Sequence, residues 1–364
     1  MYYQKPSRFK QKKVIISISI AVVVVIASIT GYFIYKNYQY TQDSKPITTT
    51  SELVLFETSS TDTIEHVAAA LEDQKIIKKA SVFLDVAESK GVSSVLEGQF
   101  ALDRSWTNAE ILASLIDPES PLDGVVNIMF PPGYWAKDVA HKLANLTHLD
   151  EQAILDAWND ATYVKELQGE YSFLTDEVFQ TQAHVLLEGY LYPETYQFLI
   201  DTTIDDATHI ILNQTQVIYE RYAQQFAASS YTVHQLFTLA SIVNYEAATP
   251  EDMKMVAQIF YNRLNQNMKL QSSVTVCYAL YTYANWQECE SSTDIDSPYN
   301  TYLHEGLPIG PVMNPTETAL EAVFNPTPNE YLYFVADIET GELHYAKTYE
   351  EHLKNVELYV DAYR

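Results

Sequence analysis

The sequence is poor in basic residues, which excludes one large class of partner. Lysine and arginine together number 22, against 48 aspartate and glutamate residues, so the formal net charge is −26. Nucleic-acid binding depends on clustered cations that neutralise phosphates, and we therefore expect no nucleic-acid partner. The acidic balance by itself indicates no particular function, since an acidic soluble portion most often serves solubility.

Charged residues are missing altogether from the run of 22 residues between Val14 and Tyr35. A run of this length spans a bilayer core as one helix. Basic residues precede it and place the N-terminus in the cytoplasm. A cleaved signal peptide is the alternative, but the run is too long for a typical signal core and no clear cleavage site follows. We expect a cytoplasmic tail at 1–13, a transmembrane anchor at 14–35 and the rest of the chain outside the cytoplasm.

Cysteine is almost absent, with Cys277 and Cys289 the two in the chain. With so few cysteines and with scattered histidines, the sequence indicates no zinc site, and we expect neither a metal nor a cofactor. Both cysteines lie on the expected exported side, where disulfides form. A local disulfide and two free thiols both fit their spacing, and the sequence leaves the choice open.

Beyond the anchor, the apolar pattern predicts a mixed α+β fold with two parts. A polar stretch at 36–51 is predicted to be a linker. The segment at 52–120 has the order strand, helix, helix, strand, helix, the last opening on a Thr-x-x-Glu capping box at Thr107. The larger part, 121–364, opens with a strand and an amphipathic helix and is then mostly helical.

One helix is predicted from Thr232 to Ala248, and it carries an unusual acid. Thr232 and Gln235 form a capping box, and leucine, alanine and valine repeat on one face. At about 100° per residue, Glu246 falls inside that apolar arc, where a carboxylate persists only if it is paired, protonated or used. The alternative is that the apolar stripe ends at Val243 and that Glu246 is a solvated residue of the last turn.

A second stretch of interest, Leu187 to Tyr196, interrupts the helical pattern with aromatic residues, Gly and Pro. Two carboxylates among three tyrosines suit a surface that binds sugars, because aromatic faces pack on sugar rings. Ordinary packing explains them equally well, since the chain contains 28 tyrosines.

Several segments together resemble one family, the endolytic murein transglycosylases, also called YceG-like proteins. The likeness runs in the family's order over 52–363. The matching segments are LEGYLYPETY at 187–196, LASIVNYEA at 239–247, FYNRL at 260–264, MKLQSSVTVCYAL at 268–280, DSPYNTY at 296–302, GLPIGPVMNP at 306–315, YLYFVAD at 331–337 and HYAKTYEEH at 344–352.

The resemblance implies a LysM-like module at 52–120 and a catalytic domain at 121–364 that cleaves nascent peptidoglycan within the glycan strand. It implies that Glu246 is the catalytic acid, which protonates a MurNAc-β-1,4-GlcNAc bond and leaves 1,6-anhydro ends. It also implies a bacterial cell membrane as the location, glycan strands as substrate and cell-wall elongation or division proteins as partners. By resemblance, four further residues are expected to line the cleft, although each could equally hold a loop together: Glu188, Gln271, Asn300 and Tyr302.

The chain departs from the family pattern at three positions. Asn244 replaces an earlier Glu of the catalytic motif, and Ser273 and Val274 replace an Asp and a Pro. The departures at Asn244 and Ser273 favour the main alternative, a non-catalytic wall-binding or scaffold protein of the cell-wall machinery. A hydrolase with a Ser or Cys nucleophile is a second alternative, but no Gly-x-Ser-x-Gly elbow is present and neither cysteine has an obvious His partner.

Overall fold

The computed structural model describes residues 30–32, 34–283 and 285–360, without the side chains of residues 286 and 287. Most of the predicted anchor, 14–35, lies outside these residues. Within them, no helix has the length and apolar character needed to cross a membrane. The predicted linker, 36–51, begins as helix, which extends as far as Asp43. The chain divides into two compact units between Asp123 and Gly124.

The first unit is a two-stranded antiparallel sheet covered by helices, and its order of elements is as predicted. Phe56 lies opposite Phe100 in the sheet, and both are buried against the apolar helix faces. The capping box at Thr107 is confirmed. The elements are β1 (Leu53–Thr58), α1 (Ile64–Asp73), α2 (Ala80–Ser89), β2 (Gly98–Asp103) and α3 (Asn108–Ile116).

The second unit is mostly helical and contains two small antiparallel sheets, which confirms the mixed α+β class. The first sheet pairs β3 (Val125–Met129) with β4 (Thr195–Leu199), and the second pairs β5 (Tyr333–Ala336) with β6 (Leu343–Ala346). Its helices are α4 (Ala136–Leu146), α5 (Glu151–Asn159), α6 (Ala161–Glu170), α7 (Ile204–Arg221), α8 (Ala223–Ala228), α9 (Val233–Glu246), α10 (Pro250–Asn265), α11 (Ser273–Leu280), α12 (Trp286–Ser291), α13 (Glu317–Phe324) and α14 (Tyr349–Tyr359).

Helix α9 lies at the centre of this unit, where it packs against α10, α11 and α13. The predicted capping box of Thr232 with Gln235 is present. The helix ends at Glu246, two residues before the predicted end, because Ala247 is extended and Thr249 with Pro250 starts α10. Its buried polar groups are paired: Ser241 donates to the carbonyl of Thr238 and accepts from the Val312 amide.

Two long loops, at 187–196 and 306–315, fold back onto this helix. His234 Nε2 donates to the Ile309 carbonyl at 2.8 Å, so its Nδ1 accepts from the Tyr190 hydroxyl, also at 2.8 Å. Burial lowers the pKa of His234, which keeps the ring neutral in this role. Asn314, in the 306–315 loop, holds the 187–196 loop by accepting from the amides of Gly189 and Leu191 at 2.9 Å each.

Candidate active site

Glu246 is the last residue of α9 and opens into a cavity of about 410 Å³. The continuous buried stretch of the helix ends at Val243, as the alternative interpretation predicted. Glu246 is nevertheless partly buried, because the cavity is enclosed by α10, the turn at 270–273, the β5–β6 hairpin and α14. The carboxyl therefore lies in a groove rather than in open solvent.

Burial is the main influence on the acidity of Glu246 and raises its pKa to about 7. The negative charge of Glu290 raises the pKa further, since two like charges disfavour ionisation. The Ser272 hydroxyl, which donates to Glu246 Oε1, and the Arg263 cation both lower it. These opposing influences leave a carboxyl that gains and loses a proton near neutrality.

Arg263 lines the same cavity and is held rigidly by the backbone around it. Its Nε donates to the Leu332 carbonyl at 2.6 Å, and one terminal nitrogen donates to Leu270 at 2.7 Å. The guanidinium also lies 5.1 Å from the centre of the Tyr333 ring. These contacts hold the Arg263 side chain in place, and its positive charge lowers the pKa of Glu246.

Of the four residues expected to line the cleft, Gln271 and Tyr302 lie in the cavity with Glu246. Gln271 has φ +53°, a left-handed conformation that non-glycine residues seldom adopt and that concentrates at functional sites. Its amide donates to the Thr301 carbonyl at 3.2 Å, which ties the 270–273 turn to the loop that carries Tyr302. The contribution of either side chain to substrate binding stays a prediction.

Asn300 is not among the residues that line this cavity; it is 0% exposed and organises its own loop. Its amide nitrogen donates to the carbonyls of Thr293 and Ile295, and its oxygen accepts from the Tyr302 amide at 2.9 Å. These hydrogen bonds hold the loop together and connect Asn300 to Tyr302. A contact of Asn300 with the glycan stays a prediction.

Glu188 does not line that cavity either and is only 2% exposed. Both carboxyl oxygens accept from the Ala136 amide at the start of α4, at 3.1 and 3.0 Å, and the Tyr278 hydroxyl lies 3.2 Å away. Burial raises the pKa of Glu188 to about 8 despite these contacts. Its place in the structure is a buried joint between the 187–196 loop, α4 and α11.

A second cavity, of about 670 Å³, lies on the other side of the α9 terminus. Asn244 and Tyr245 line it, as do Val274 and the two cysteines, which form a disulfide between α11 and α12. Asn244 accepts from the Thr316 hydroxyl at 2.8 Å. The position at which the family pattern has an earlier Glu thus does not face the cavity that contains Glu246.

Three residues that act on Glu246 were not predicted from the sequence: Ser272, Arg263 and Glu290. The position of Arg263 could have indicated a role, because it follows Phe260 by one turn on the apolar face of α10. A charge buried on that face needs an explanation. The sequence positions of Ser272 and Glu290 gave no such indication, because their proximity to Glu246 depends on the folding of α11 and α12.

A partly buried carboxyl with a pKa near neutrality, on a rigid helix and in a cavity with aromatic walls, defines a candidate site for acid–base catalysis. The model of the YceG-like family matches residues 56–358, and the chain belongs to this family.

Relatives in three organisms resemble the chain over most of its length. It is 31% identical over 363 residues to an endolytic murein transglycosylase of Streptococcus pneumoniae, covering 95% of this chain, and it spans 65% of the length of that relative. It is 30% identical over 336 residues to one of Bacillus subtilis, covering 92% of this chain and 91% of that one. A crystal structure of a YceG-like protein from Listeria monocytogenes superposes with a TM-score of 0.61 at 30% identity, covering 84% of this chain and 99% of that one.

Proposed function

We propose that this chain is an endolytic lytic transglycosylase that cleaves MurNAc-β-1,4-GlcNAc bonds in nascent peptidoglycan and leaves 1,6-anhydroMurNAc ends. Membership of the YceG-like family supports the proposal, as do the pneumococcal and Bacillus relatives named endolytic murein transglycosylases. The observation that carries it is the carboxyl of Glu246, partly buried in an aromatic-walled cavity with a pKa of about 7.

In the proposed reaction, Glu246 acts first as acid and then as base. The protonated carboxyl donates its proton to the glycosidic oxygen while the bond from that oxygen to C1 of MurNAc breaks. The resulting carboxylate accepts the proton of the MurNAc 6-hydroxyl, whose oxygen bonds to C1 and closes the 1,6-anhydro ring. Because no water is consumed, one carboxyl suffices where glycoside hydrolases commonly use two. A pKa of about 7 lets the same group perform both transfers near neutral pH.

The surroundings of Glu246 fit both halves of this cycle. Burial keeps the carboxyl protonated for the first transfer, and the Ser272 hydroxyl and the Arg263 cation stabilise the carboxylate that it leaves. Positive charge grows at the sugar C1 as the bond breaks, and the carboxylate formed nearby attracts it. Tyr302 and Tyr333 form part of the same wall and offer aromatic faces to sugar rings.

We further propose that the chain is anchored in a bacterial membrane by 14–35, with its N-terminus in the cytoplasm, and that 52–120 is a LysM-like module. The charge-free run and its basic flank support the anchor. The antiparallel β1–β2 pair with α1 and α2 between its strands supports the module. Cell-wall elongation or division proteins are proposed partners.

The test is mass spectrometry of the products released from purified glycan strands by the wild type, by Glu246→Gln and by the control Glu251→Gln. Glu251 is an exposed carboxyl in the first turn of α10. We expect anhydro ends from the wild type and the control, and a rate at least about 10²-fold lower from Glu246→Gln. Release at the native rate by Glu246→Gln would remove that residue from the mechanism.

The same experiment distinguishes the enzyme from a scaffold. A wild type that binds glycan strands and produces no anhydro ends would favour the wall-binding alternative, which rests on the departures at Asn244 and Ser273. The geometry weakens the first of these, because Asn244 lines the other cavity and bonds to Thr316. Ser273 does line the cavity with Glu246, and its hydroxyl donates to Glu290 at 3.3 Å.

A further inference from the structure

The second cavity adjoins the Glu246 cavity. At two places in the chain, one residue lines one cavity and the next residue lines the other. Tyr245 lines the second cavity and Glu246 lines the first. On the facing wall, Val274 lines the second cavity and Ser273 lines the first. A glycan strand that extends past Glu246 in this direction therefore enters the second cavity directly. An enzyme that cuts within a strand must hold sugars on both sides of the cut, so this deepens the proposed function and rests on it.

Exposed aromatic rings line the second cavity. Tyr245 is 45% exposed and Tyr283 is 38% exposed, so each has ring surface available to a ligand. Trp135, in contrast, is 7% exposed, and its ring stacks on Tyr281 at 5.5 Å with an angle of 6° between the planes. The stacked Trp135 and Tyr281 rings form a rigid support, and the two exposed tyrosines offer faces on which sugar rings pack.

Lys137 brings a positive charge to this cavity in an otherwise strongly acidic protein. Its ammonium donates to the Tyr281 carbonyl and lies 4.4 Å from the centre of the Trp135 ring and 4.3 Å from that of Tyr281. The nearest carboxylate on its own helix, Asp138, also lines the cavity but caps α4 by accepting from the Trp135 amide at 3.0 Å. An ammonium carries three donors, and one carbonyl uses one of them.

One polar atom in this wall lacks a partner. The Tyr281 hydroxyl is buried and has no hydrogen-bond partner among the residues that the structure describes. Buried polar groups are nearly always paired, so an orphan in a cavity wall calls for an explanation. A polar ligand or a water that it brings supplies one.

We propose that the second cavity binds the glycan strand on the far side of the cut from the Glu246 cavity, with Tyr245 and Tyr283 packing on sugar rings and Lys137 binding a carboxylate of the stem peptide that the strand carries. The ligand class is a strand of β-1,4-linked N-acetylated amino sugars whose peptide substituents carry carboxylates. The tyrosines hold the sugar backbone, and the lysine distinguishes a carboxylated strand from an uncharged one.

The test measures binding to the full chain carrying Glu246→Gln, so that the ligand is not consumed. The probes are a peptidoglycan tetrasaccharide with its stem peptides and chitotetraose, which lacks carboxylates. We expect Lys137→Met to weaken binding of the peptidoglycan probe about tenfold and to leave chitotetraose binding unchanged. Lys137→Arg, which keeps the charge, should retain binding of the first probe, and Tyr283→Ala should weaken binding of both.

Lys142 provides a matched control on the same helix. It is likewise half-buried, donates to the Met129 carbonyl at 3.0 Å and lies over a ring, that of Tyr134, but outside the cavity. Lys142→Met should change neither affinity. If Lys137→Met bound both probes as tightly as the parent, or lost both equally, the proposal would be overturned.

The outcome is separable from that of the proposed function. If the wild type releases anhydro ends and Lys137→Met fails to discriminate between the probes, only the role of the second cavity is wrong. If the wild type releases no anhydro ends and Lys137→Met still discriminates, the cavity is a peptidoglycan-binding site in a protein that does not cleave.

Discussion

Ser272 donates a hydrogen bond to Glu246 from a position 26 residues further along the chain. The serine is buried in the turn before α11, where its amide donates to the Thr301 hydroxyl at 3.1 Å. Thr301 in turn contacts the Thr275 hydroxyl at 2.8 Å. The acidity of Glu246 is therefore connected to the 296–302 loop through Ser272, whose hydroxyl donates to the carboxyl and whose amide donates to Thr301.

Removal of the Ser272 hydroxyl should raise the pKa of Glu246. The hydrogen bond favours the carboxylate, so its loss leaves the acid protonated to higher pH. We expect the alkaline limb of the pH–rate profile of Ser272→Ala to move up by about one pH unit. Ser229→Ala, which alters a hydroxyl outside the cavity, serves as the control. A limb that stays in place or moves down contradicts this assignment.

Neutralisation of Glu290 should have the opposite effect. Its negative charge raises the pKa of Glu246, so Glu290→Gln should lower that pKa and move the same limb to lower pH. We expect a shift of about 0.5 pH units, because water screens the partly exposed Glu290. Glu288→Gln, an exposed position on the same short helix, is the comparison. Identical shifts from the two variants would show a general charge effect instead of a specific one.

The buried carboxyl of Glu188 should make stability fall as pH rises. Its pKa is about 8 in the folded chain against an ordinary 4.5, so the folded state retains a proton that the unfolded state has lost between these values. The stabilising contribution is complete below about pH 4.5 and is lost as pH rises to about 8, and the full loss is on the order of 5 kcal/mol.

Comparison with Glu188→Gln isolates this effect, because the amide does not titrate. We expect the free energy of unfolding of the wild type, measured by urea denaturation, to fall relative to that of Glu188→Gln between pH 5 and about 8. Glu194→Gln, at an exposed carboxyl in the same loop, should follow the wild type. Parallel curves for the wild type and Glu188→Gln would mean that Glu188 is ionised in the folded protein.

Gly189 should tolerate no side chain, whereas Gly169 should accept one. Gly189 has φ +89°, and a Cβ there would lie 2.2 Å from Pro311 Cβ. Gly189→Ala should lower the free energy of unfolding by about 3 kcal/mol or more, since the loop and the proline cannot both stay in place. Gly169 lies in α6 with open space around it, and Gly169→Ala should raise stability by about 0.5 kcal/mol. Urea midpoints measure both, and equal destabilisation would refute the steric explanation.

Much of the local structure could be predicted because its causes are local. The capping boxes at Thr107 and Thr232 each join two residues three positions apart, and both helices start where those boxes place them. Glu246 could be singled out for the same reason, since its position relative to Leu239 and Ile242 follows from helical geometry alone. The family motifs pointed to the same residue.

The cleft residues were only partly predictable, because their roles depend on long-range packing. Glu188 and Asn300 lie in segments that resemble the family, yet α4 covers the first and its own loop encloses the second. Gln271 and Tyr302, of similar character, reach the cavity. Sequence spacing does not distinguish these cases, since burial depends on which distant segment packs against each side chain.

The sequence by itself determined the acidic composition, the charge-free N-terminal run, the helix boundaries set by caps and the identity of the exceptional acid. The tertiary structure alone decided the proton affinity of that acid, because the affinity is set by groups 17 to 44 positions away in the chain, namely Arg263, Ser272 and Glu290. It also decided that the two cysteines pair and that two cavities adjoin at the end of α9. Short-range patterns fix which face of a helix is apolar, whereas electrostatics and cavity shape arise only when remote segments are brought together.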